Sequence, residues 1–184
     1  MKLNKSVLVL TLVSVFALAL AAFAPTSAQA KAKPVKSKPV CDNSIVDIAL
    51  AVNAQSGEFS TLVAAVVAAN MVKPLDNCGK NLTVFAPTDA AFAKLGLNAD
   101  NIGTAFDKKT LTTILKYHIA TREFFSSDVV QMERIHMWSG GTVGVDVTNA
   151  GVFLTSKNDP SQIVGLDIDA SNGVIHIIDT VLLP

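Results

Sequence analysis

The side chains able to move a proton, attack a carbonyl or hold a cation are few. They are three histidines, His118, His136 and His176, two cysteines, Cys41 and Cys78, and the carboxylates Asp167 and Asp169 in an alternating apolar stretch. None stands in a spacing that completes a catalytic arrangement. The chain has no G-x-S-x-G elbow to expose a serine, no H-E-x-x-H pair on a helix face and no glycine-rich loop to cradle phosphate. A hydrolase is disfavoured because no nucleophile has a recognisable base, and the expectation is a protein without catalysis. Asp167 and Asp169 share a strand face, but Ca²⁺ takes about six to eight oxygen ligands, so two carboxylates read as a solvated edge and no metal is expected. His118 follows Leu111, Ile114 and Leu115 at helical spacing and reads as a core histidine bonded to a neighbour such as Asp89. His176 alternates with isoleucines and reads as a satisfied polar group in a covered strand.

The elements that must position these groups begin after a distinctive N-terminus. Lys2 and Lys5 precede an apolar run from Val7 to Ala24, and Ala28-Gln29-Ala30 supplies small residues for cleavage, so 1–30 reads as a secretory signal peptide. The triplet Ala22-Phe23-Ala24 ranks second as a cleavage site because Pro25 would follow the scissile bond. Left uncleaved, the run is close to the length of about 17–25 residues that spans a bilayer, and membrane attachment is expected only in that case. Residues 31–43 form a leader with Lys31, Lys33, Pro34, Lys36, Lys38 and Pro39, most simply a Pro-stiffened spacer. Its four lysines could also touch an anionic envelope surface.

Removing the signal leaves 13 basic and 15 acidic residues, and from Cys41 onward the count is 9 against 15, a net charge of −6. An acidic domain lacks the basic surface that neutralises phosphates, so nucleic acid is excluded as a partner. Export makes a Cys41–Cys78 disulfide the default, with two free thiols or a metal pair as alternatives. A zinc site is poorly supplied, since neither cysteine has a nearby histidine.

From Ser44 the chain reads as helices first and strands last. Ser44-Ile45-Val46-Asp47 has a capping-box form ahead of Ile48, Ala49 and Val52. A second helix spans about Ser60 to Asn70, alanine-rich on its far side and so buried nearly all round. Thr83 to Ala86 is β-branched and aromatic, Pro87 ends the strand, and Thr88 with Asp89 opens a short helix that stops at Gly96. Asp107 caps the helix that carries His118. From Gly140 the period becomes two: Thr142 to Val147 and Val152 to Thr155 form a hairpin, and Ile163 to Ile168 and Val174 to Leu183 flank an Asn172-Gly173 turn. The last strand is apolar on both sides, with Ile175, Ile177 and Val181 on one and Val174, Ile178 and Leu182 on the other, as a central covered strand requires. Asn81-Leu82-Thr83 fits a glycosylation sequon but leads into the buried strand and is discounted.

Three segments carry a resemblance that periodicity does not supply. Thr83 to Phe92, Leu115-Lys116-Tyr117-His118-Ile119 and the tail from Ser171 to Pro184 resemble, in order and spacing, the motifs of the fasciclin domain, and Phe59 to Ala65 looks like its early helix. The likeness covers about Ser44 to Pro184. It implies an α+β fold with several helices packed around a bent, largely antiparallel β-wedge, the first and last motif strands lying side by side. It also implies a secreted, periplasmic or cell-envelope module for adhesion or surface interaction, its partner a cell-surface or matrix component, protein or glycan. In related domains the Tyr-His segment, here Tyr117 and His118, is implicated in adhesion, though burial would favour a packing role.

The chain departs from the family pattern in holding one copy of the domain and no Arg-Gly-Asp triplet. Its segment Val129 to Gly141 is also more aromatic and Met-rich than a polar connector. That segment holds the only tryptophan. Met132, Ile135, Met137 and Trp138 are therefore the candidate contacts for a partner or a lipophilic molecule, because Met adapts and Trp offers a broad apolar face with one donor. The competing reading is that Ile135, Met137 and Trp138 close one end of the core. Some fasciclin-type proteins carry carotenoids, so a secreted carrier of a carotenoid or lipid is the alternative function. No other cofactor is expected.

Overall fold

The computed structural model describes residues 41–184. The signal-peptide reading and the lysines of the leader lie outside the described residues. Two helices open the domain, α1 (Ile45–Ser56) and α2 (Ser60–Ala68), followed by a short α3 (Val72–Leu75). The Ser44–Asp47 capping box forms as its sequence requires, and Gly57 ends α1 at a φ of 72°, a left-handed conformation that glycine adopts without a Cβ penalty. Strand β1 (Leu82–Pro87) is buried along its whole length, and α4 (Asp89–Ala93) follows at once, with the Thr88 hydroxyl accepting the Ala91 N–H at its start. After α5 (Ile102–Ala105), the Asp107 carboxylate accepts the Lys109 and Thr110 N–H groups to begin α6 (Lys108–Tyr117).

The rest is mostly sheet: β2 (Ile119–Ala120), a helical turn α7 (Ser126–Val129), β3 (Arg134–His136), β4 (Thr142–Thr148), β5 (Gly151–Thr155), β6 (Ser161–Ala170) and β7 (Gly173–Ile178). Seven strands form one sheet in the order β2-β1-β7-β6-β5-β4-β3. Only the β1–β7 pair is parallel, in register from Leu82 opposite Gly173 to Pro87 opposite Ile178. An antiparallel bridge between Ala120 and Met137 brings the two ends together, so the sheet nearly closes on itself into a wedge. Closure satisfies edge N–H and C=O groups that an open sheet would leave exposed.

The two faces of β7 supply two cores. Ile175, Ile177 and Val181 pack with the helical layer around Phe59, Leu62, Ala65, Phe92, Ile102 and Leu111. Ile178 and Leu182 join Phe85, Ile135, Val143 and Leu154 inside the wedge. β7 ends at Ile178, short of the Leu183 that the apolar pattern suggested. Asp179 and Thr180 turn the chain there, held by the Gln162 N–H on Asp179 and by the Ser161 hydroxyl on the Thr180 carbonyl.

Gly173 is required where it stands. Its φ is 148°, and a Cβ built there would lie 1.8 Å from the carbonyl oxygen of Leu82. The parallel pairing of β1 and β7 therefore depends on a residue without a side chain.

Cys41 and Cys78 form a disulfide with a Cα–Cα distance of 5.5 Å, tying the start of α1 to the loop before β1. Among the described residues no helix is long and apolar enough to cross a membrane.

Candidate functional site

The residues singled out in the sequence separate into buried supports and two surface features. Asp89 does not meet His118. Its carboxylate accepts the Thr61 N–H at 2.8 Å and the Ser60 N–H at 3.2 Å, capping α2, whose own N-cap residue Phe59 offers no acceptor. The carboxylate thus serves two helix starts, as first-turn acid of α4 and as a remote cap of α2. His118 is bonded within its own layer. Its Nδ1–H donates to the Ile114 carbonyl at 2.9 Å, and Nε2 accepts the Leu182 N–H at 2.9 Å, a pairing that assigns the neutral tautomer. Full burial lowers its pKa to about 4, the Ile114 bond opposing only in part.

Ser126, Asp167 and His176 lie together without the order that nucleophilic catalysis needs. Ser126 bonds Asp167 through both its N–H and its hydroxyl. His176 is occupied on both sides, accepting the Asp167 N–H at Nδ1 and donating from Nε2 to the Phe124 carbonyl at 2.9 Å. No imidazole lone pair faces the serine, so nothing activates it. Burial drives the His176 pKa down, with the Phe124 bond and the Asp167 charge opposing. Asp167 itself sits at a φ of 54° in an irregular part of β6. That irregularity breaks the alternation expected to put Asp167 and Asp169 on one face, and Asp167 serves Ser126. Among the described residues no three metal-ligating side chains cluster.

The segment from Met132 to Trp138 divides by burial. Ile135 and Met137 point into the wedge core and are removed from the list of surface contacts, as is Tyr117. The Tyr117 hydroxyl donates to the Thr142 carbonyl at 2.9 Å. Met132 and Trp138 remain partly exposed. They line an open groove of about 740 Å³ together with Lys80, Asn81, Arg122 and Phe124. A second open groove of about 550 Å³ shares Arg122, Phe124 and Met132 with it and continues to Arg134 and His136.

The groove is built by hydrogen bonds that sequence reading missed. Thr83, fully buried in β1, donates its hydroxyl to the Arg122 carbonyl and accepts the Phe124 N–H, both at 2.8 Å. His176 holds the Phe124 carbonyl from the next strand. The backbone N–H of Trp138 donates to the Ile119 carbonyl at 2.6 Å, fixing the ring's segment against β2. Lys80 Nζ then lies 4.1 Å from the centroid of the Trp138 ring and Lys116 Nζ 5.7 Å from it. A buried threonine in an otherwise apolar strand is the one signal that could have pointed here. The cations come from three separate segments, and no local pattern unites them.

A second concavity has the opposite chemistry. Between α1, α2, β1 and β7 runs a cavity of about 250 Å³ whose lining is apolar apart from His118, with Ala49, Val63, Val66 and Val84 among its walls. Leu50 and Val67 flank it at 47% and 61% exposure, an apolar rim open to solvent. The alanine-rich sequence of α2 predicts a helix buried nearly all round, whereas Val67 and Ala68 are exposed, because α1 buries only Ile45 and covers this face incompletely. Asn172, read in the sequence only as a turn residue, braces the layer. Its Oδ1 accepts the Ile45 N–H at 2.8 Å, and its Nδ2 donates to the Leu75 carbonyl at 2.6 Å.

A helical layer laid over a nearly closed β-wedge is the architecture these elements build. The chain belongs to the fasciclin family: the model of the Fasciclin domain matches residues 57–184. It is 39% identical over 140 residues to the uncharacterized protein sll1735 of Synechocystis sp., an alignment covering 76% of this chain and 96% of that protein. It is 38% identical over 128 residues to transforming growth factor-beta-induced protein ig-h3 of Sus scrofa, covering 68% of this chain and 18% of that protein. Among solved structures, a FAS1 domain pair from the insect cell adhesion molecule Fasciclin I superposes with a TM-score of 0.65 at 17% identity, covering 77% of this chain and 51% of that one. At that identity the likeness concerns the fold.

Proposed function

We propose that the chain is an exported, non-catalytic fasciclin-type binding domain acting in adhesion or surface interaction, with a protein or glycan of a cell surface or matrix as its partner. The observation that carries this reading is the family match over 57–184. It is supported by the wrong order of Ser126, Asp167 and His176 for catalysis, and by the open groove at Trp138, where a partly exposed aromatic meets charged and polar side chains. Beads coated with the full mature chain are expected to attach saturably to cells of its source organism, above beads coated with heat-unfolded protein. Equal attachment by both preparations overturns the reading. Export is checked by mass spectrometry of the native protein, whose expected first residue is Lys31.

A second reading rests on the α1–α2 cavity. Its apolar walls and exposed apolar rim suit one face of a lipophilic molecule, a carotenoid or another lipid, better than the charged groove at Trp138 does. Native material is then expected to release a lipid or pigment into organic solvent, and Ala49→Phe, which fills the cavity, is expected to abolish the release. An extract without such a molecule removes this reading and leaves the first intact.

A further inference from the structure

The groove at Trp138 has a charge out of keeping with the rest of the domain. From Cys41 onward the chain carries six more acidic than basic residues, yet Lys80 and Lys116 lie over the Trp138 ring, and Lys80 and Arg122 line the groove that it shares. Among the described residues none of the three has a carboxylate within ion-pair distance, the Lys/Arg ion pair found there being Lys94 with Asp179. Glu123 and Asp128 line the groove as well, so its walls hold two carboxylates beside the two cations, and the Asp128 carboxylate is engaged by the Phe125 N–H. Lys80 and Lys116 are therefore held over an aromatic face that attracts and orients the nearer of them, and Arg122 opens into the same groove without an ion-pair partner.

We propose that this groove binds an acidic polysaccharide, with the carboxylate or sulfate of a sugar residue on Lys80 and Arg122 and the apolar face of the ring along Trp138 and Met132. The proposal rests on the adhesion reading and names its partner class. Arg122 offers the planar fork that pairs with an oxyanion bidentately, Lys80 a point charge, and Asn81 and Thr121 polar groups for hydroxyls. The continuation of the groove toward Arg134 and His136 extends the surface beyond the Trp138 site, as a polymer requires. A neutral glycan would leave the cations without a role.

Trp138 is the only tryptophan, so intrinsic fluorescence reads this groove directly. The full mature chain is titrated with polygalacturonate, dextran sulfate, neutral dextran and polyglutamate at low and high salt. The expected result is a saturable change with one or both acidic saccharides, weakened by salt and absent with neutral dextran. The arm that responds identifies carboxylate or sulfate as the anion. Lys80→Gln combined with Arg122→Gln is expected to weaken binding at least tenfold with an unchanged melting temperature, and calorimetry is expected to show a similar loss for Trp138→Ala. No saturable change with either acidic saccharide overturns the proposal, as does undiminished binding by the double variant. Polyglutamate binding as tightly as the saccharides also overturns it, in favour of an acidic peptide. If glycan binding fails while the coated beads still attach to cells, only the acidic-saccharide assignment falls; if both fail, the adhesion reading falls with it.

Discussion

The cavity between α1 and α2 and the groove at Trp138 are built on the same two strands and have opposite chemistry. The cavity presents an almost wholly apolar lining, and its one polar side chain, His118, has both ring nitrogens bonded within the protein. The groove presents two cations, two carboxylates, an amide and an indole, its 122–124 wall held in place by a buried hydroxyl. The difference follows from what each wall is made of. Helices that turn apolar faces toward a sheet can leave only an apolar gap when one of them, α1, covers it incompletely. The groove is walled by connecting segments, whose backbone groups need partners and whose side chains are free to be polar. A selective surface and a dry cavity can therefore coexist in one small domain without competing for the same residues.

The largest expected effect removes the shared scaffold. Gly173→Ala places a methyl group against the Leu82 carbonyl and should cost about 4 kcal/mol or more, weakening cavity and groove together. Urea unfolding measures it, and a loss confined to one of the two sites would break the claim that both hang on β1 and β7. The next effect belongs to the cavity side. His118 has a folded pKa of about 4 against 6.5 unfolded, so the unfolded chain binds more protons between those values. Its contribution is fully present above about pH 6.5 and is lost as pH falls toward 4, a change on the order of 3 kcal/mol. Denaturant titrations from pH 7 to 4 should show this slope reduced in His118→Gln, with His176, shifted in the same direction, supplying a remainder.

Asp89→Ala should cost about 1 to 2 kcal/mol through the uncapped start of α2, which forms one wall of the cavity. Hydrogen exchange is expected to rise at Ser60 and Thr61 and to stay unchanged at Trp138. The smallest effect sharpens the contrast from the other side: Lys80→Gln should change stability by less than about 0.5 kcal/mol, because an exposed cation–aromatic contact adds little to folding. A larger loss in thermal unfolding would make Lys80 a structural residue and not a binding one.

Much of the fold was legible because it is written in neighbouring residues. The capping box of Ser44 and Asp47, the stop at Pro87, the Asp107 cap and the period-two strands after Gly140 all formed as expected. The two apolar sides of the last strand went to separate cores, as their alternation required. The candidate contacts were read less well. Ile135, Met137 and Tyr117 are apolar or aromatic side chains in a half-polar segment, and residue type alone does not say which of them turn inward; alternation through β3 buried Ile135 between exposed Arg134 and His136. The partner of Asp89 was misassigned because two helix N–H groups 28 and 29 residues away in sequence were nearer than the imidazole.

The sequence by itself determined the acidic domain, the order of the main helices and of the strands β1 and β4 to β7, and the family. Each of these is a property of composition, local spacing or motif order. Only the tertiary structure decided which polar groups meet: Thr83 with the 122–124 segment, Asn172 with α1 and α3, and two lysines with Trp138. The near-closure of the sheet at Ala120 and Met137 decides that last meeting, because it carries the loop bearing Trp138 back against β2. Such contacts depend on packing between segments far apart in the chain, and no local periodicity carries that information.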